Sequence, residues 1–524
     1  MKRIVLAMLV VAVTGTMSCT KQQFSDDYVN PQTVAQTSVE KQFSGFLSSN
    51  LDYVMYKYWN YFVILQNTAL PWSQATGVIN TQGRYVPGAA AVSDRWSTFY
   101  NFLAQYKELL NVYNNKSTDE EKASKRIYII LATIHFYDQT QKVVDLHGDI
   151  PWSEAGLLST NLGNVQESFA KYDDAAGIYT KMLDDLKGFS DELNTISVSD
   201  PIMAILKSQD FINHGDITLW KKYCNSLRIK LLMRVSGVAS FQSRVNSEIS
   251  AILASSANYP VVTSVADKIV VNVYNVNSGV NNGTGTGQGA DFYKGLIGWG
   301  GGDIPSKQMI DFMKANSDPR IPLMFQPGAN AGGNYAGLDP TLTSNAQNDL
   351  SNGGTLSRYN FNNISQNINI PGMLINSAET YFYISEYYLN NNNDAAAKTA
   401  YENGVKTSID YYAFLGNTTV TDPVKATYLA SAGVVWSGDN AAKLNLIATQ
   451  KWINYSVLQP LENWAEIRRL KLPVLTFLPD NTNPQTMPPN RWQYPTNEQT
   501  YNAANYAAVK DNDKITTKIF WDVK

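Results

Sequence analysis

Cysteine is scarce in this chain: only Cys19 and Cys224 occur among 524 residues. A disulfide framework is therefore excluded, and Cys224, set in a helix-like stretch, reads as a buried, inert thiol. Histidine is equally sparse, and His135, His147 and His214 lack the close spacing of a metal site. No sign of charge dominates, since 42 Lys and Arg face 45 Asp and Glu for a net charge of −3. Without a basic stripe, nucleic-acid binding has no electrostatic support. Catalytic signatures are missing too: there is no nucleophile elbow, no HExxH pair and no cysteine–histidine set. The glycines around Trp299, from Gly298 to Gly302, are not followed by Lys-Ser/Thr and do not make a phosphate loop. Long apolar runs are also wanting. The run from Ile4 to Val13 has ten residues, about half of the roughly 20 that span a bilayer. These absences point to a protein that is no enzyme and that needs neither cofactor nor metal.

What is present begins with an export pattern. Lys2 and Arg3 precede the apolar run, and the small-residue stretch Thr14 to Ser18 leads directly into Cys19. That order resembles a bacterial lipoprotein signal, which implies removal of residues 1–18 and acylation of Cys19. Thr16 stands where the usual lipobox has leucine, and Met17 where a small residue is normal. The alternative is an ordinary secretory signal that ends near a cysteine. Residues 19–40 are polar and unpatterned, with Asp26, Asp27, Asn30 and Pro31, and read as a tether.

Beyond the tether, helical periodicity dominates. Ser117 and Thr118 precede Glu120 and Glu121 at capping-box spacing. Behind them Ile127, Ile130, Ile134, Tyr137, Gln141 and Val144 recur every three or four residues, which places them on one helix face. Further stripes run Tyr172, Ala176, Tyr179, Leu183, Leu186, and Trp220, Tyr223, Leu227, Leu231, the latter capped by Asp216. Ala397, Tyr401, Val405 and Leu444, Ala448, Trp452, Tyr455 complete the series. The fold class is mostly α, with paired helices, although a strict tetratricopeptide consensus is absent. Residues 258–370 differ. A short β-like alternation at Ile269, Val271 and Val273 leads into Gly/Asn-rich sequence and a second loop-rich section, Gly328 to Asn369. The helices read as scaffold and the loops as the place of ligand contact.

Several local motifs share one direction. Leu146-His147-Gly148-Asp149-Ile150-Pro151 resembles the "L-[FY]-G-D-[VI]-P" turn of SusD-like (SusD/RagB) outer-membrane lipoproteins of Bacteroidetes, with His147 in place of the usual aromatic. Gly215-Asp216, Trp220, Asn225-Ser226-Leu227-Arg228 and Met233-Arg234 are similar to the family's "G-D…W…N-S-L-R…M-R" helix. Asp318-Pro319-Arg320 matches its "D-P-R" turn, and Pro371-Gly372-Met373 through Glu379 and Glu386 its "P-G-M…E…E" helix. Gln450-Lys451-Trp452, Trp464, Glu466, Arg468-Arg469 and Pro473 resemble its "Q-K-W…W-x-E-x-R-R…P" segment, and Arg491, Tyr494-Pro495, Glu498 and Asn502 its closing motif. The resemblance covers most of the chain, so residues 41–524 are identified as one SusD-like domain. It implies a tetratricopeptide-like scaffold of helix pairs, an irregular ligand-binding part and little β structure. It also implies a lipid-anchored, surface-exposed outer-membrane protein that hands oligosaccharides or peptides to a SusC-like TonB-dependent transporter. Acidic residues often follow the lipidated cysteine in the family, whereas Thr20-Lys21-Gln22-Gln23 intervenes here before Asp26. An exported glycan- or peptide-degrading enzyme and a structural envelope protein are the competing readings.

Candidate residues follow from chemistry. Glu379 and Glu386 are seven residues apart on one predicted helix, so they share a face about 10 Å apart along its axis. Pairing with Arg468 or Arg469 fits them better than a glycosidase acid pair. Asp145 and Asp149 bracket a turn and are expected to accept from backbone amides. For ligand contact the candidates are Trp299 in its glycine loop, Trp72 after Pro71, and Tyr335 between glycines, each offering a flat ring for stacking. Trp220, Trp452 and Trp464 sit within helix motifs and read as core.

Overall fold

The structure is a computed structural model that describes residues 37–77, 84–116, 118–272, 290–298, 300–482 and 485–524. The longer helices of the N-terminal half are α1 (Val39–Ser48), α2 (Ala89–Asn114), α3 (Asp119–His147), α4 (Ala175–Glu192), α5 (Asp200–Gln209), α6 (Ile217–Arg234) and α7 (Gln242–Ala254). The longer helices after the irregular part are α8 (Ser377–Asn390), α9 (Asp394–Leu415), α10 (Asn440–Tyr455) and α11 (Pro460–Leu470). They pack as neighbours α2 on α3, α4 on α6, α8 on α9 and α10 on α11, with α1 laid over α2 and α3. The contact of α6 with α8, and of α8 with α10, joins the two sets into one body. The mostly α architecture is thus as the periodicity predicts, with helix pairs as its unit.

The helix starts follow the expected capping chemistry. Thr118 accepts from the Glu121 amide at 3.1 Å, and Asp216 from Thr218 and Leu219 at 2.8 and 3.1 Å. Asn376 and Glu379 form a reciprocal capping box at the start of α8. Two boundaries differ from expectation. Helix α1 begins at Val39, capped by Ser38, inside the stretch assigned to the tether, because Val39 and Phe43 bury their side chains. Tyr172 belongs to a short strand, since Asp174 caps α4 and starts it at Ala175.

Helices α3 and α6 are central. From Ile127 to His147, and from Tyr223 to Arg234, nearly every side chain is buried, polar ones included. A helix surrounded on all sides has no polar face to turn to water, so its charges must find partners inside. Among the described residues the strands form antiparallel pairs: β1 (Ile150–Pro151) with β2 (Tyr172–Asp173), β3 (Ile269–Val271) with β6 (Gly372–Ile375), and β4 (Phe325–Gln326) with β5 (Arg358–Tyr359). Val273 of the expected alternation lies outside the described residues, as do Cys19 and Trp299.

A second core lies under the irregular part. Here Trp72, Trp452, Trp464 and Trp492 meet side chains from the Met55–Gly77 segment, from the short helices Asp291–Ile297, Lys307–Ala315 and Ile321–Met324, and from the chain after α11. The irregular region is therefore wider than residues 258–370. Its extra described pieces, about 55–77 and 471–482 with 485–495, hold only short turns such as Asn60–Leu65 and Ala69–Trp72 and are placed by tertiary contacts.

Candidate functional site

The motif carboxylates converge on a buried network. The Arg469 guanidinium forks onto Glu386, with 2.6 and 2.7 Å contacts, and reaches Glu466 at 2.6 Å. Lys451 lies 2.8 Å from Glu466 and 3.4 Å from Glu386. Arg234 bridges Glu462, Glu466 and Asp145, while Lys230 sits among Asp138, Glu379 and Glu462 at 3.6–3.8 Å. Burial pushes the Glu386 carboxyl up, but Arg469 and Lys451 outweigh it and hold the group below its ordinary value. Glu466 is held lower still by Arg469, Lys451 and Arg234 against the same burial. Glu379, beside the more distant Lys230, stays raised by burial.

Glu379 and Glu386 are thus 1% and 2% exposed, with every oxygen directed at the scaffold. They cannot flank a substrate. Of the two arginines considered, Arg469 takes the pairing. Arg468 instead stacks 3.6 Å from the Trp464 ring centroid and donates to the Asn490 carbonyl, and burial drops its pKa to about 9. Asp149 accepts from the Ala175 amide as expected. Asp145 does not bond backbone: it accepts from Tyr179, Gln141 and Trp521 side chains and pairs with Arg234, because its helix is enclosed. Cys224 is buried, its thiol pushed up to about 12 by burial and donating to the Leu186 carbonyl.

Exposed chemistry gathers elsewhere, at a cleft between the α1–α2 end and the irregular part. Asn60–Leu65 forms a π-helical turn, a rare geometry that recurs at functional sites. Its inner face puts Tyr61 against Phe292 at 4.7 Å. Gly295 allows this approach, since a Cβ there would stand 2.6 Å from the Tyr61 Cβ. The outer side carries Trp59, 51% exposed, and Tyr58, 37% exposed and stacked on Phe62 at 5.1 Å. The Trp59 indole donates to Asp94 of α2, whose carbonyl accepts from Tyr53 at 3.1 Å. Lys57 faces Asp291 at 3.7 Å. Asp52, Ser49, Asn60 and Thr98 complete a cleft of about 520 Å³, within the range of small-ligand sites.

The Trp59 ring and the face of Tyr58 turned away from Phe62 offer stacking surfaces, and the carboxylates around them accept hydroxyl hydrogen bonds. That combination suits a polyhydroxylated ring. Among the described residues no three His, Cys, Asp or Glu groups come together as metal ligands.

The expected ligand contacts are dispersed. Trp72 is a correction. It ends the short helix Ala69–Trp72, is 1% exposed, packs 5.0 Å from Trp464 and donates to the Arg84 carbonyl at 3.1 Å. Its indole is core. Tyr335 is half-buried against the second core, its carbonyl accepting from Lys314 at 2.8 Å, and it does not line the Trp59 cleft. Trp220, Trp452 and Trp464 are core, as read. Sequence reasoning missed Tyr58 and Trp59, although the aromatic run Tyr56-Lys57-Tyr58-Trp59-Asn60-Tyr61-Phe62 was the available signal.

Comparison with known proteins adds the following. Residues 35–495 match the sequence model of a SusD-like family described as starch-binding and associating with outer membrane. No curated protein matches the chain. Among solved structures, a Bacteroidetes SusD-like protein superposes with a TM-score of 0.74 at 18% identity, over 93% of this chain and 100% of its own. A chitin-binding SusD homolog from Flavobacterium johnsoniae gives 0.72 at 21%, covering 92% and 99%. A SusD-like protein from Bacteroides thetaiotaomicron gives 0.69 at 21%, covering 92% and 99%. At these identities the structures establish a common fold.

Proposed function

From the premise that this chain belongs to the SusD-like family of outer-membrane-associated, nutrient-binding proteins, we propose that it is a surface lipoprotein capturing oligosaccharides for a SusC-like TonB-dependent transporter. The observation that carries the ligand class is the exposed Trp59–Tyr58 pair beside carboxylate acceptors. Sugar rings stack on such faces while their hydroxyls donate to the acids. Peptide N–H groups can donate to the same acids, but a sugar presents several hydroxyls around one flat ring face, which fits rings and acids set side by side. Trp299 lies outside the described residues and is proposed as a ligand contact on its glycine-flanked sequence alone. Tyr335, already packed on the core, contributes less.

The degrading-enzyme alternative loses its acid pair, because Glu379 and Glu386 are enclosed in the charge network. A partner surface is supported by Leu158, Leu162, Val165 and Phe169, all exposed on one loop; Leu162 is 95% exposed. Apolar side chains gathered this way are normally covered on association. Titration of neutral starch- and chitin-type oligosaccharides into wild type and Trp59→Ala tests the binding role, and unchanged affinity in the variant would reject it. Anchoring and partnership are read together: wild type takes up a fatty-acid label at Cys19 and copurifies in mild detergent with a β-barrel, over an interface above about 2,000 Å². Equal label in Cys19→Ala, or a free monomer despite co-expression with the transporter, contradicts that part.

A further inference from the structure

The Trp59 cleft offers a ligand more hydrogen-bond acceptors than donors. Its neutral donors are largely spent within the protein. The Trp59 indole goes to the Asp94 carboxylate, the Tyr53 hydroxyl to the Asp94 carbonyl at 3.1 Å, and the Ser49 hydroxyl to the Phe46 carbonyl at 2.7 Å. The acceptors stay open. Asp52 lines the cleft from an exposed position, and among the described residues no group hydrogen-bonds or ion-pairs with its carboxylate. Asp94 gives one oxygen to the indole and keeps the other. Asn60, lining the same cleft and only 7% exposed, directs its Nδ2 at the Tyr53 carbonyl at 3.5 Å. Its Oδ1 takes no hydrogen bond from any described residue.

Charge runs the same way. Three acids, Asp52, Asp94 and Asp291, line the cleft with one lysine, Lys57, which stands 3.7 Å from Asp291. The nearby Arg95 does not line it: the guanidinium is enclosed and lies over the Tyr53 ring at 4.9 Å. Among the described residues no cation covers the Trp59 or Tyr58 ring. Two unpaired acids therefore flank a bare indole. The Asp94 carboxylate meets the indole N–H, so it lies at the edge of the ring. A pyranose stacked on the ring face projects its equatorial substituents past that edge, which brings one of them to the carboxylate.

We propose that this cleft selects oligosaccharides of amino sugars whose amines are unsubstituted and protonated, with Asp52 and Asp94 as the residues that set the preference. An ammonium group brings three N–H donors and no acceptor. Its hydrogen bonds to carboxylates are charge-assisted, and the face of the indole attracts the same charge. A carboxylate or sulfate on the sugar meets like charge here, and an acetamide brings its carbonyl to a surface of acceptors. Neutral sugars, donating through hydroxyls, bind more weakly. The proposal rests on the glycan-binding reading of the Trp59 cleft and narrows its substrate class.

The test titrates the full chain, in mildly acidic buffer of low salt, with glucosamine, N-acetylglucosamine and glucose oligomers of equal length and linkage. A starch-type oligosaccharide and trilysine, which carries charge without sugar rings, complete the set. Wild type binds the glucosamine oligomer about tenfold more tightly than its neutral counterparts, the size of one charge-assisted hydrogen bond, and more tightly than trilysine. High salt narrows that ratio. Asp52→Asn narrows it as well, and Asp52→Asn combined with Asp94→Asn brings it to one. Asp119→Asn, exposed at the start of α3 and not lining the cleft, leaves it intact. Trp59→Ala weakens every sugar. Equal affinity for charged and neutral oligomers, a preference that survives the double substitution, or trilysine bound as tightly as the glucosamine oligomer overturns the proposal. Neutral binding that is lost in Trp59→Ala then leaves the glycan reading standing. Absence of binding to every sugar overturns both.

Discussion

The helical body and the irregular face treat polar and aromatic residues in opposite ways. In the body, Lys230, Arg234, Lys451 and Arg469 meet Glu379, Glu386, Glu462 and Glu466 where water does not reach. On the face, Trp59, Tyr58 and Phe414 remain where water does reach. The difference teaches where the motifs belong. Residues that match the SusD-like pattern most closely hold helices together across the α6–α8–α10–α11 contacts, and they say little about the ligand. The rings that suit a ligand lie in segments without a motif.

Breaking the body produces the largest effect. Arg469→Ala leaves Glu386 and Glu466 short of their main partner, and stranding a buried charge costs about 3–5 kcal/mol. Urea unfolding should show that loss, or no folded protein at all. Trp72→Ala sharpens the comparison from the other side. Because this tryptophan is core despite its place in the irregular part, its removal should cost about 3–5 kcal/mol of stability. Neutral-oligosaccharide affinity of the surviving folded protein should be normal. A stable variant with lost binding would return Trp72 to the ligand surface.

These two residues also mark what the sequence makes legible. Helix stripes such as Ala397, Tyr401, Val405 are readable because a 3.6-residue period maps directly onto a buried face. Glu386 and its arginine are readable because a buried carboxylate on an apolar helix requires a cation. Trp72 misleads: Pro71 suggests a loop, yet proline is tolerated in the first turn of the short helix Ala69–Trp72. Tyr58 and Trp59 escape for a related reason. The π-helical turn at Asn60–Leu65 changes the spacing, so no simple period tells which rings of the aromatic run face outward. The cleft further depends on Asp94 and Asp291, far away in sequence, and such a juxtaposition has no local signal.

A pH dependence of intermediate size separates the regions without mutation. Glu386 and Glu466 have folded values below the ordinary glutamate value of 4.5, so the network's contribution is fully present above that pH. It is lost as pH falls through the depressed folded values. The urea midpoint should therefore decline below about pH 4.5. Glu386→Gln, less stable at neutral pH, should decline less steeply. Parallel acid limbs in the two proteins would remove Glu386 from the effect.

If scaffold and ligand surface are different residues, Trp59→Ala weakens binding and costs less stability than Trp72→Ala, and melting and neutral-oligosaccharide titration on one sample read both. Half of the Trp59 side chain is in water, so stability should fall by about 2 kcal/mol, less than the cost expected for the enclosed Trp72. Loss of one stacking face should weaken binding by about 1–3 kcal/mol, as for other aromatic platforms. A large fall in melting temperature with unchanged affinity would instead make Trp59 part of the scaffold.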